Sequence, residues 1–86
     1  MAFEVKIDVF LKAGVSDPEG ATISEAARHL GHDSVRSVYA GKSYVLVLDE
    51  ANRESAMAKA EELGTSLLSN PVIESFEVSV VRETAK

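Results

Sequence analysis

The sequence predicts one α+β domain of two layers, in which two helices cover one face of a four-stranded antiparallel sheet. Three observations support this prediction. The chain has 86 residues, which is the length of a single small domain. Its apolar residues alternate with a period of two in some segments and recur with helical spacing in others. These segments follow one another in the order βαββαβ, the ferredoxin-like topology, so we treat residues 1–86 as one domain.

The first segment, residues 3–12, is predicted to be a half-buried strand because apolar and polar side chains alternate along it. One face carries Phe3, Val5, Ile7, Val9 and Leu11. A loop follows, since Asp17 precedes a proline and is restricted to extended geometry. Gly14 and Gly20 permit unusual φ angles in the same loop.

Residues 19–30 are predicted to form the first helix. Their apolar members recur at i, i+3, i+4 and i+7, as a helical stripe requires: Ile23, Ala26, Ala27 and Leu30. Two strands are predicted next, a short one at 35–40 and a longer one at 43–49. Gly41 and Lys42 separate these strands, which suggests a tight hairpin.

A second helix is predicted after Asn52, which can cap its first turn. Its buried stripe comprises Ala56, Met57, Ala60, Leu63, Gly64, Leu67 and Leu68. Gly64 costs about 1 kcal/mol against alanine inside a helix, so either a close helix contact requires it or the helix breaks there. The Asn70-Pro71 pair ends the helix, and residues 72–82 are predicted to form the last strand.

The face of the sheet opposite the helices contains more apolar residues than a solvated face would. We expect it to carry Glu4, Lys6, Asp8, Phe10, Val45, Val47, Ser79 and Val81. The predicted topology places Phe10, Val45 and Val47 on central strands, so we expect this face to pack against another copy of the chain. The alternative is that they are scattered surface residues without consequence, which are common.

Composition disfavours several classes of partner and chemistry. The net charge is −5, with 14 acidic and 9 basic residues, which disfavours nucleic acid because phosphates require a basic patch. The absence of cysteine excludes disulfides and thiolate chemistry and is compatible with a reducing cytosol. No apolar run is long enough to span a membrane and no signal peptide follows Met1, so we expect a cytoplasmic protein without a membrane partner.

No group of residues has the spacing that a catalytic or metal site needs. His29 and His32 are three residues apart near a helix end, whereas a helical metal pair usually needs a spacing of four or a third ligand. Glu61 and Glu62 are neighbours on a helix and therefore point apart. The loop at 11–20 lacks the glycine spacing of phosphate-binding motifs. We therefore predict no catalytic residue and no metal site, and interpret the chain as a binding or assembly module.

Several short motifs follow one another along the chain. Residues 5–20 approximate V-x-V-x-L-K-x-G-V-x-D-P-x-G, and a helix ending in Leu-Gly comes next. They are followed by Val35-x-x-Val38-x-x-Gly41-Lys42 and then by Leu67-Leu68-x-Asn70-Pro71-Val72-Ile73-Glu74. In this order and spacing, which cover nearly the whole chain, the sequence resembles the PurS family, the small subunits of phosphoribosylformylglycinamidine synthase.

The resemblance implies a role without catalysis in an enzyme of three polypeptides. In this family a glutaminase subunit, PurQ, releases ammonia from glutamine. A synthetase subunit, PurL, uses ATP and Mg²⁺ to join that ammonia to formylglycinamide ribonucleotide. The small subunit bridges the two, supports the ammonia route, holds no cofactor of its own and forms dimers or higher oligomers. The resemblance thus implies a homo-oligomeric subunit that acts in purine biosynthesis.

The resemblance also implies that three loops contact the larger subunits. Their residues are Lys12, Asp17, Pro18 and Gly20 in the first loop, Gly41 and Lys42 in the second, and Asn70 and Glu74 in the third. Purely local roles remain open for all of them, since glycine and proline suit turns and helix ends. Lys12, Lys42 and Glu74 are the stronger candidates, because we expect no local group to require their charge.

Two other classes of function remain open. A small-molecule-sensing regulatory domain of ACT type shares the βαββαβ order and would bind an amino acid near the start of the first helix. An independent small enzyme is disfavoured, because the chain lacks an activated nucleophile or a plausible acid–base pair.

Overall fold

The computed structural model describes residues 1–84, so the last two residues of the predicted domain, 85–86, lie outside the described part. The elements are β1 (Ala2–Leu11), α1 (Pro18–His29), β2 (Gly41–Asp49), α2 (Arg53–Leu63) and β3 (Glu74–Thr84). A π-helical turn, Gly64–Leu68, continues α2. Both β2 and β3 pair with β1 in antiparallel fashion, which gives the strand order β2-β1-β3.

The core lies between the central strand β1 and helix α2. The inward side chains of β1 are almost completely buried, as their alternation predicts: Phe3, Val5, Ile7 and Val9. They pack with Ala56 and Ala60 of α2, whose small side chains let the helix lie close to the sheet. Burial of each large side chain contributes about 1.5–3 kcal/mol, so β1 is the strand on which the stability of the fold depends.

The described residues contain three strands, and the prediction of a fourth is wrong. Residues 35–40 form an irregular segment, and Gly41 and Lys42 begin β2 instead of making a hairpin. The spacing of the apolar residues in this segment explains the result. Val35 and Val38 are three apart, which puts them on opposite faces of a strand, and each face would also carry a polar residue, Ser37 or Arg36.

Helix α1 lies apart from the core, so the expectation that both helices cover the sheet is wrong. The described hydrophobic cluster contains residues of β1, α2 and the strands flanking β1, but none of α1. In α1, Ile23 is 47% exposed and the following Leu30 is 78% exposed. The radius of gyration is 16.4 Å, against about 12 Å for a compact chain of this length. We call residues 18–40, which contain α1 and the irregular segment after it, the α1 arm.

Both helices begin at side-chain caps, and the cap at Asn52 is the one that the sequence predicts. Asp17 accepts a hydrogen bond from the Gly20 N–H, and Pro18 occupies the first turn, where its missing N–H costs nothing. Asn52 Oδ1 accepts from the Ser55 N–H at 2.8 Å at the start of α2. Polar caps therefore fix the entry points of the two helices.

Gly64 marks the place where α2 changes its geometry. A Cβ atom built on Gly64 would lie 2.5 Å from the ring of Phe76 on β3, so a close contact does require glycine, although with a strand and not with a helix. The helix also widens there, because the Ser69 N–H donates to the Gly64 carbonyl oxygen at 3.1 Å. Both readings of Gly64 therefore hold, and the predicted helix end before Asn70 is confirmed.

Candidate functional site

The three predicted contact loops meet at one end of the sheet, where β1 ends and its two neighbours begin. Strand β1 ends where β2 and β3 begin, because both neighbours run antiparallel to it. Phe10 pairs with Gly41 on one side, and Leu11 pairs with Glu74 on the other. We call this end of the sheet, formed by residues 12–20, 39–42 and 70–74, the strand-end surface.

Lys12 joins the first loop to the third. Its backbone N–H donates to the Ile73 carbonyl oxygen at 2.8 Å, and its Nζ donates to the Pro71 carbonyl oxygen at 2.6 Å. The ammonium group therefore has a local partner, and the expectation that no local group requires its charge is wrong. Lys12 holds the turn before β3 against the end of β1.

The third loop is a turn closed by its own side chains. The Asn70 N–H donates to Glu74 Oε1 at 2.7 Å, and the Glu74 N–H donates to the Asn70 carbonyl oxygen at the same distance. Asn70 Oδ1 in turn accepts from the Val72 N–H at 3.1 Å. The carboxylate of Glu74 is thus part of the turn, so the expectation that its charge has no local use is also wrong.

Lys42 is the more exposed member of an ion pair on this surface. Its Nζ lies 3.8 Å from Glu74 Oε2, and its side chain is 61% exposed, against 13% for Glu74. Because the lysine is largely exposed and the separation is long, the pair contributes at most about 1 kcal/mol to stability. Lys42 therefore has a local partner too, but its charge remains accessible to another molecule.

Asp17 connects the two ends of the α1 arm. Its Oδ1 accepts from the Gly20 N–H at 2.9 Å, and its Oδ2 accepts from the Ala40 N–H at 3.0 Å. These two backbone N–H groups, first that of Gly20 and then that of Ala40, hold the pKa of the Asp17 carboxyl below its ordinary value. Asp17 is therefore charged at neutral pH and serves as an acceptor, not as a proton donor.

Gly20 is the residue at which the arm closes most tightly. It is buried, and a Cβ atom built on it would collide with the Val38 carbonyl oxygen and with the Asp17 carboxylate. Helix α1 consequently approaches the 35–40 segment more closely than any other residue type would allow. Gly41 has a comparable role beside β1, since a Cβ atom there would lie 2.6 Å from the ring of Phe10.

Two hollows open on the strand-end surface. One, of about 150 Å³, is bordered by charged side chains: Asp17, Glu19, Lys42 and Glu74. The other, of about 300 Å³, is mostly apolar and is formed by Phe10, Leu11, Val15, the backbone of the first loop, and Tyr39. Tyr39 is 77% exposed, so this hollow can receive a side chain from another molecule.

The described residues offer little for catalysis. Within residues 1–84, no group of three His, Asp or Glu side chains is placed to hold a metal ion. The backbone N–H of His32 donates to the Ala27 carbonyl oxygen at the end of α1, and Gly31 beside it has φ +97°. This is a helix C-terminal turn, which accounts for His29 and His32 by local structure. In the same described part of the chain, no helix combines the length and apolar character that crossing a membrane requires.

The open face of the sheet is apolar only at its margins. Phe10, Val45 and Val47 are 43%, 58% and 67% exposed, as expected for the face opposite α2. Strand β2 is an edge strand, however, so the placement of Val45 and Val47 on a central strand is wrong. Only Phe10 lies on the central strand.

Charged residues occupy the middle of the open face. Lys6 Nζ lies 3.5 Å from Asp8 Oδ2 along β1, and Arg82 Nη2 of β3 lies 3.1 Å from Glu4 Oε2. A surface with this pattern buries less apolar area on association than the sequence led us to expect.

Sequence reasoning missed three residues of the strand-end surface. Tyr39 and Ala40 lay inside the strand predicted at 35–40, so no sequence pattern indicated their position beside the first loop. Glu19 adjoins the Asp-Pro pair and could have been included on that ground. The three loops come together in the structure because antiparallel pairing fixes which strand ends meet.

These observations define a small α+β binding module whose three loops form one shaped surface. The comparisons identify the family. Residues 4–82 match the PurS family, described as phosphoribosylformylglycinamidine (FGAM) synthase, and the chain therefore belongs to this family.

Solved and curated relatives agree with this assignment. The PurS subunit of phosphoribosylformylglycinamidine synthase from Methanocaldococcus jannaschii is 35% identical over 78 residues, which cover 91% of this chain and 94% of the relative. The crystal structure of that PurS superposes with a TM-score of 0.83 at 34% identity and covers 95% and 99% of the two chains. A chain in the PurLQS structure from Thermotoga maritima has a TM-score of 0.87 at 33% identity and covers 94% and 99%.

Proposed function

We propose that this chain is the small, non-catalytic subunit of phosphoribosylformylglycinamidine synthase in purine biosynthesis, where it holds the synthetase PurL and the glutaminase PurQ in one assembly. The complex would convert formylglycinamide ribonucleotide to formylglycinamidine ribonucleotide with ATP and glutamine. The observation that carries the proposal is the likeness, over nearly the full length of both chains, to a chain of the Thermotoga maritima PurLQS structure.

The chemistry gives such a subunit a physical purpose. Ammonia released in water is protonated and loses its nucleophilic lone pair, so a glutaminase site and a synthetase site must be held in register with water excluded. A rigid module with several shaped loops can fix that register without contributing a reacting group. We assign ATP and Mg²⁺ to the larger subunits and no cofactor to this chain, as the family resemblance implies. A cytoplasmic location follows from the pathway.

The strand-end surface is the proposed contact with the larger subunits. Lys42 offers an accessible charge, and Tyr39 and the apolar hollow offer a place for a partner side chain. The other predicted residues act mainly by shaping this surface: Lys12, Asp17, Pro18, Gly20, Gly41, Asn70 and Glu74.

Self-association is proposed to involve the apolar stripe of the α1 arm in addition to the open sheet face. Ile23 and Leu30 are exposed large apolar residues on an arm that does not reach the core of its own chain. The open sheet face has a charged middle, so its margin at Val45 and Val47 offers less apolar area. A dimer in which both surfaces are covered would remove Ile23, Leu30 and the two valines of β2 from water.

Reconstitution with PurL and PurQ from the same source tests the proposal. With ATP, Mg²⁺ and glutamine present, the three chains should co-elute on size exclusion, and glutamine-dependent synthesis should require this chain. Synthesis from added ammonium salt should depend on it much less, because transfer between sites is then bypassed. Glutamine-dependent synthesis at an equal rate without this chain would contradict the proposal.

A charge-reversal pair locates the contact. Lys42→Glu should weaken assembly, whereas Lys59→Glu on α2 should not. The two lysines are comparable, since each has its Nζ 3.8 Å from a glutamate oxygen and a side chain that is about half exposed, 61% for Lys42 and 47% for Lys59. Equal effects of the two variants would assign the contact to net charge and not to the strand-end surface.

The ACT-like alternative gains no support. The relatives reported above belong to the PurS family, and residues 35–40 do not supply the fourth strand that the ACT order requires.

A further inference from the structure

We infer that Asp17 is a positioning residue: its carboxylate fixes the orientation of the α1 arm relative to the sheet, and the larger subunits recognise the arm in that orientation. The second half of this statement rests on the proposed function, whereas the first half concerns the free chain alone. Family resemblance led us to expect Asp17 as a contact residue, and its geometry assigns it a different role.

The carboxylate joins the two ends of the arm. Asp17 immediately precedes the arm, and Ala40 is its last residue before β2. One oxygen accepts from the first turn of α1, at the Gly20 N–H, and the other accepts from the Ala40 N–H, 23 residues further along the chain than Asp17. The arm is thus closed at its base, where it leaves the sheet and returns to it.

The arm has few other means of holding its orientation. No residue of α1 belongs to the described hydrophobic cluster, so core packing does not fix the helix. Arg28 Nη1 donates to Ser24 Oγ at 2.8 Å and to the Val35 carbonyl oxygen at 3.1 Å, but all three residues lie within the arm. These bonds stabilise the arm internally but do not connect it to the sheet. The orientation of the arm therefore depends on the contacts at its base.

Gly20 provides a second, uncharged element of the same closure. Its lack of a side chain lets α1 approach the Val38 carbonyl oxygen within a distance that any Cβ atom would prevent. A methyl group at this position would push apart the two segments that Asp17 bonds together. Gly20→Ala therefore perturbs the base of the arm without changing any charge.

The acceptor requirement at Asp17 is strict. A carboxylate can accept from both backbone N–H groups at once, whereas an asparagine has one acceptor oxygen and would turn its NH₂ group toward the other donor. We therefore expect Asp17→Asn to lose part of the closure and Asp17→Ala to lose both bonds. Glu19→Gln is the matched control, because Glu19 borders the same charged hollow and the variant removes the same charge.

The orientation of the arm in the free chain can be measured as a distance between two spin labels by double electron–electron resonance. The chain has no cysteine, so Glu25→Cys on α1 and Ser79→Cys on β3 can be spin-labelled without removing other thiols. Excess unlabelled chain suppresses distances between copies. The labelled parent and Glu19→Gln should give one narrow distance distribution, whereas Asp17→Ala and Gly20→Ala should both broaden it. In hydrogen exchange, the Ala40 amide should exchange about tenfold faster or more in Asp17→Ala.

Assembly with PurL and PurQ is the second readout. If the variant arm occupies the competent orientation about a tenth of the time, the apparent Kd of Asp17→Ala for the two subunits rises about tenfold. Gly20→Ala should show a similar loss despite its unchanged charge. Glu61→Gln removes one negative charge from α2, outside the arm and the strand-end surface, and should bind as the parent does.

The outcomes separate positioning from contact. Weaker assembly by Asp17→Ala with an unchanged distance distribution would overturn the inference in favour of a direct charge contact, as would normal assembly by a Gly20→Ala chain whose distribution is broad. An unchanged distribution and unchanged amide exchange in Asp17→Ala would overturn it outright. Failure of the parent chain itself to bind PurL and PurQ would reject the proposed function, and the distances would still decide whether Asp17 orients the arm.

Discussion

Replacing Gly64 by alanine tests how closely the end of α2 lies against β3. Alanine is favoured over glycine in a helix by about 1 kcal/mol, so the substitution would stabilise the chain if the site had room. The new Cβ atom would instead lie 2.5 Å from the Phe76 ring, whereas two carbon atoms in contact need about 3.5–4.0 Å.

The ring must therefore retreat by about 1 Å or more within packed surroundings. Overpacking of this kind costs about 1–3 kcal/mol. Subtracting the gain in helix propensity leaves a net destabilisation of up to about 2 kcal/mol, centred near about 1 kcal/mol. Urea unfolding followed by far-UV circular dichroism measures this difference directly.

Phe76→Leu supplies the background in which the same substitution should behave differently. A leucine side chain ends short of the position of the outer ring atoms, so Gly64→Ala on that background should be neutral or stabilising. The two substitutions should couple by at least about 0.5 kcal/mol. A Gly64→Ala chain that is about 1 kcal/mol more stable than the parent, with no coupling to Phe76→Leu, would refute the close contact.

Three further predictions concern the core, the arm and the surfaces for self-association. Ile7→Ala should lower the free energy of unfolding by about 2–5 kcal/mol in the same urea assay, because Ile7 is fully buried, and a loss below about 1 kcal/mol would contradict the assigned core. The folded pKa of Asp17 lies below its ordinary value of 3.8, so its contribution to stability is present above that value and is lost as the pH falls through the folded pKa. Between neutral and acidic pH the parent should therefore lose more stability than Asp17→Asn, and equal pH dependence would count against the two carboxylate hydrogen bonds. In light scattering, Ile23→Asp should lower the mass of the oligomer more than Val45→Asp does, and the reverse order would assign self-association to the open sheet face.

The elements built around β1 could be predicted from the sequence because their signals are local. The alternation along residues 3–11 identifies a buried face, and burial of Phe3, Val5, Ile7 and Val9 confirms it. Asn52 and the Asn70-Pro71 pair mark where the second helical segment starts and ends, and both boundaries agree with the structure. Antiparallel pairing of β2 and β3 with β1 is then sufficient to bring the three loops to one end of the sheet.

The position of α1 could not be predicted in the same way. An apolar stripe shows which side of a helix avoids water, but it does not show which surface covers that side. Ile23 and Leu30 form such a stripe and yet stay exposed, because the helix leaves the sheet on the arm. The error at 35–40 has the same origin, since a short apolar run is compatible with a strand until its hydrogen-bond partners are known.

The connections within the site were likewise beyond the reach of local patterns. Asp17 could be recognised as a helix cap from the Asp-Pro pair, but its bond to Ala40 spans 23 residues. The bond from Lys12 to Pro71 spans 59 residues and depends on the completed sheet. These two long-range bonds give the charges of Lys12 and Asp17 partners within their own chain.

This use of charge determines what the strand-end surface can offer a partner. Lys12, Asp17 and Glu74 each bond groups of their own chain, so a partner meets the shape that these bonds maintain as well as the charges that stay exposed. Lys42 keeps an accessible charge, and beside it lie an apolar hollow and the exposed ring of Tyr39. Recognition that depends on shape and apolar contact is screened little by salt, whereas recognition by exposed charges weakens steeply as ionic strength rises. Assembly through this surface should consequently persist at salt concentrations that would dissociate a complex held by surface ion pairs, with the small residual sensitivity traceable to Lys42.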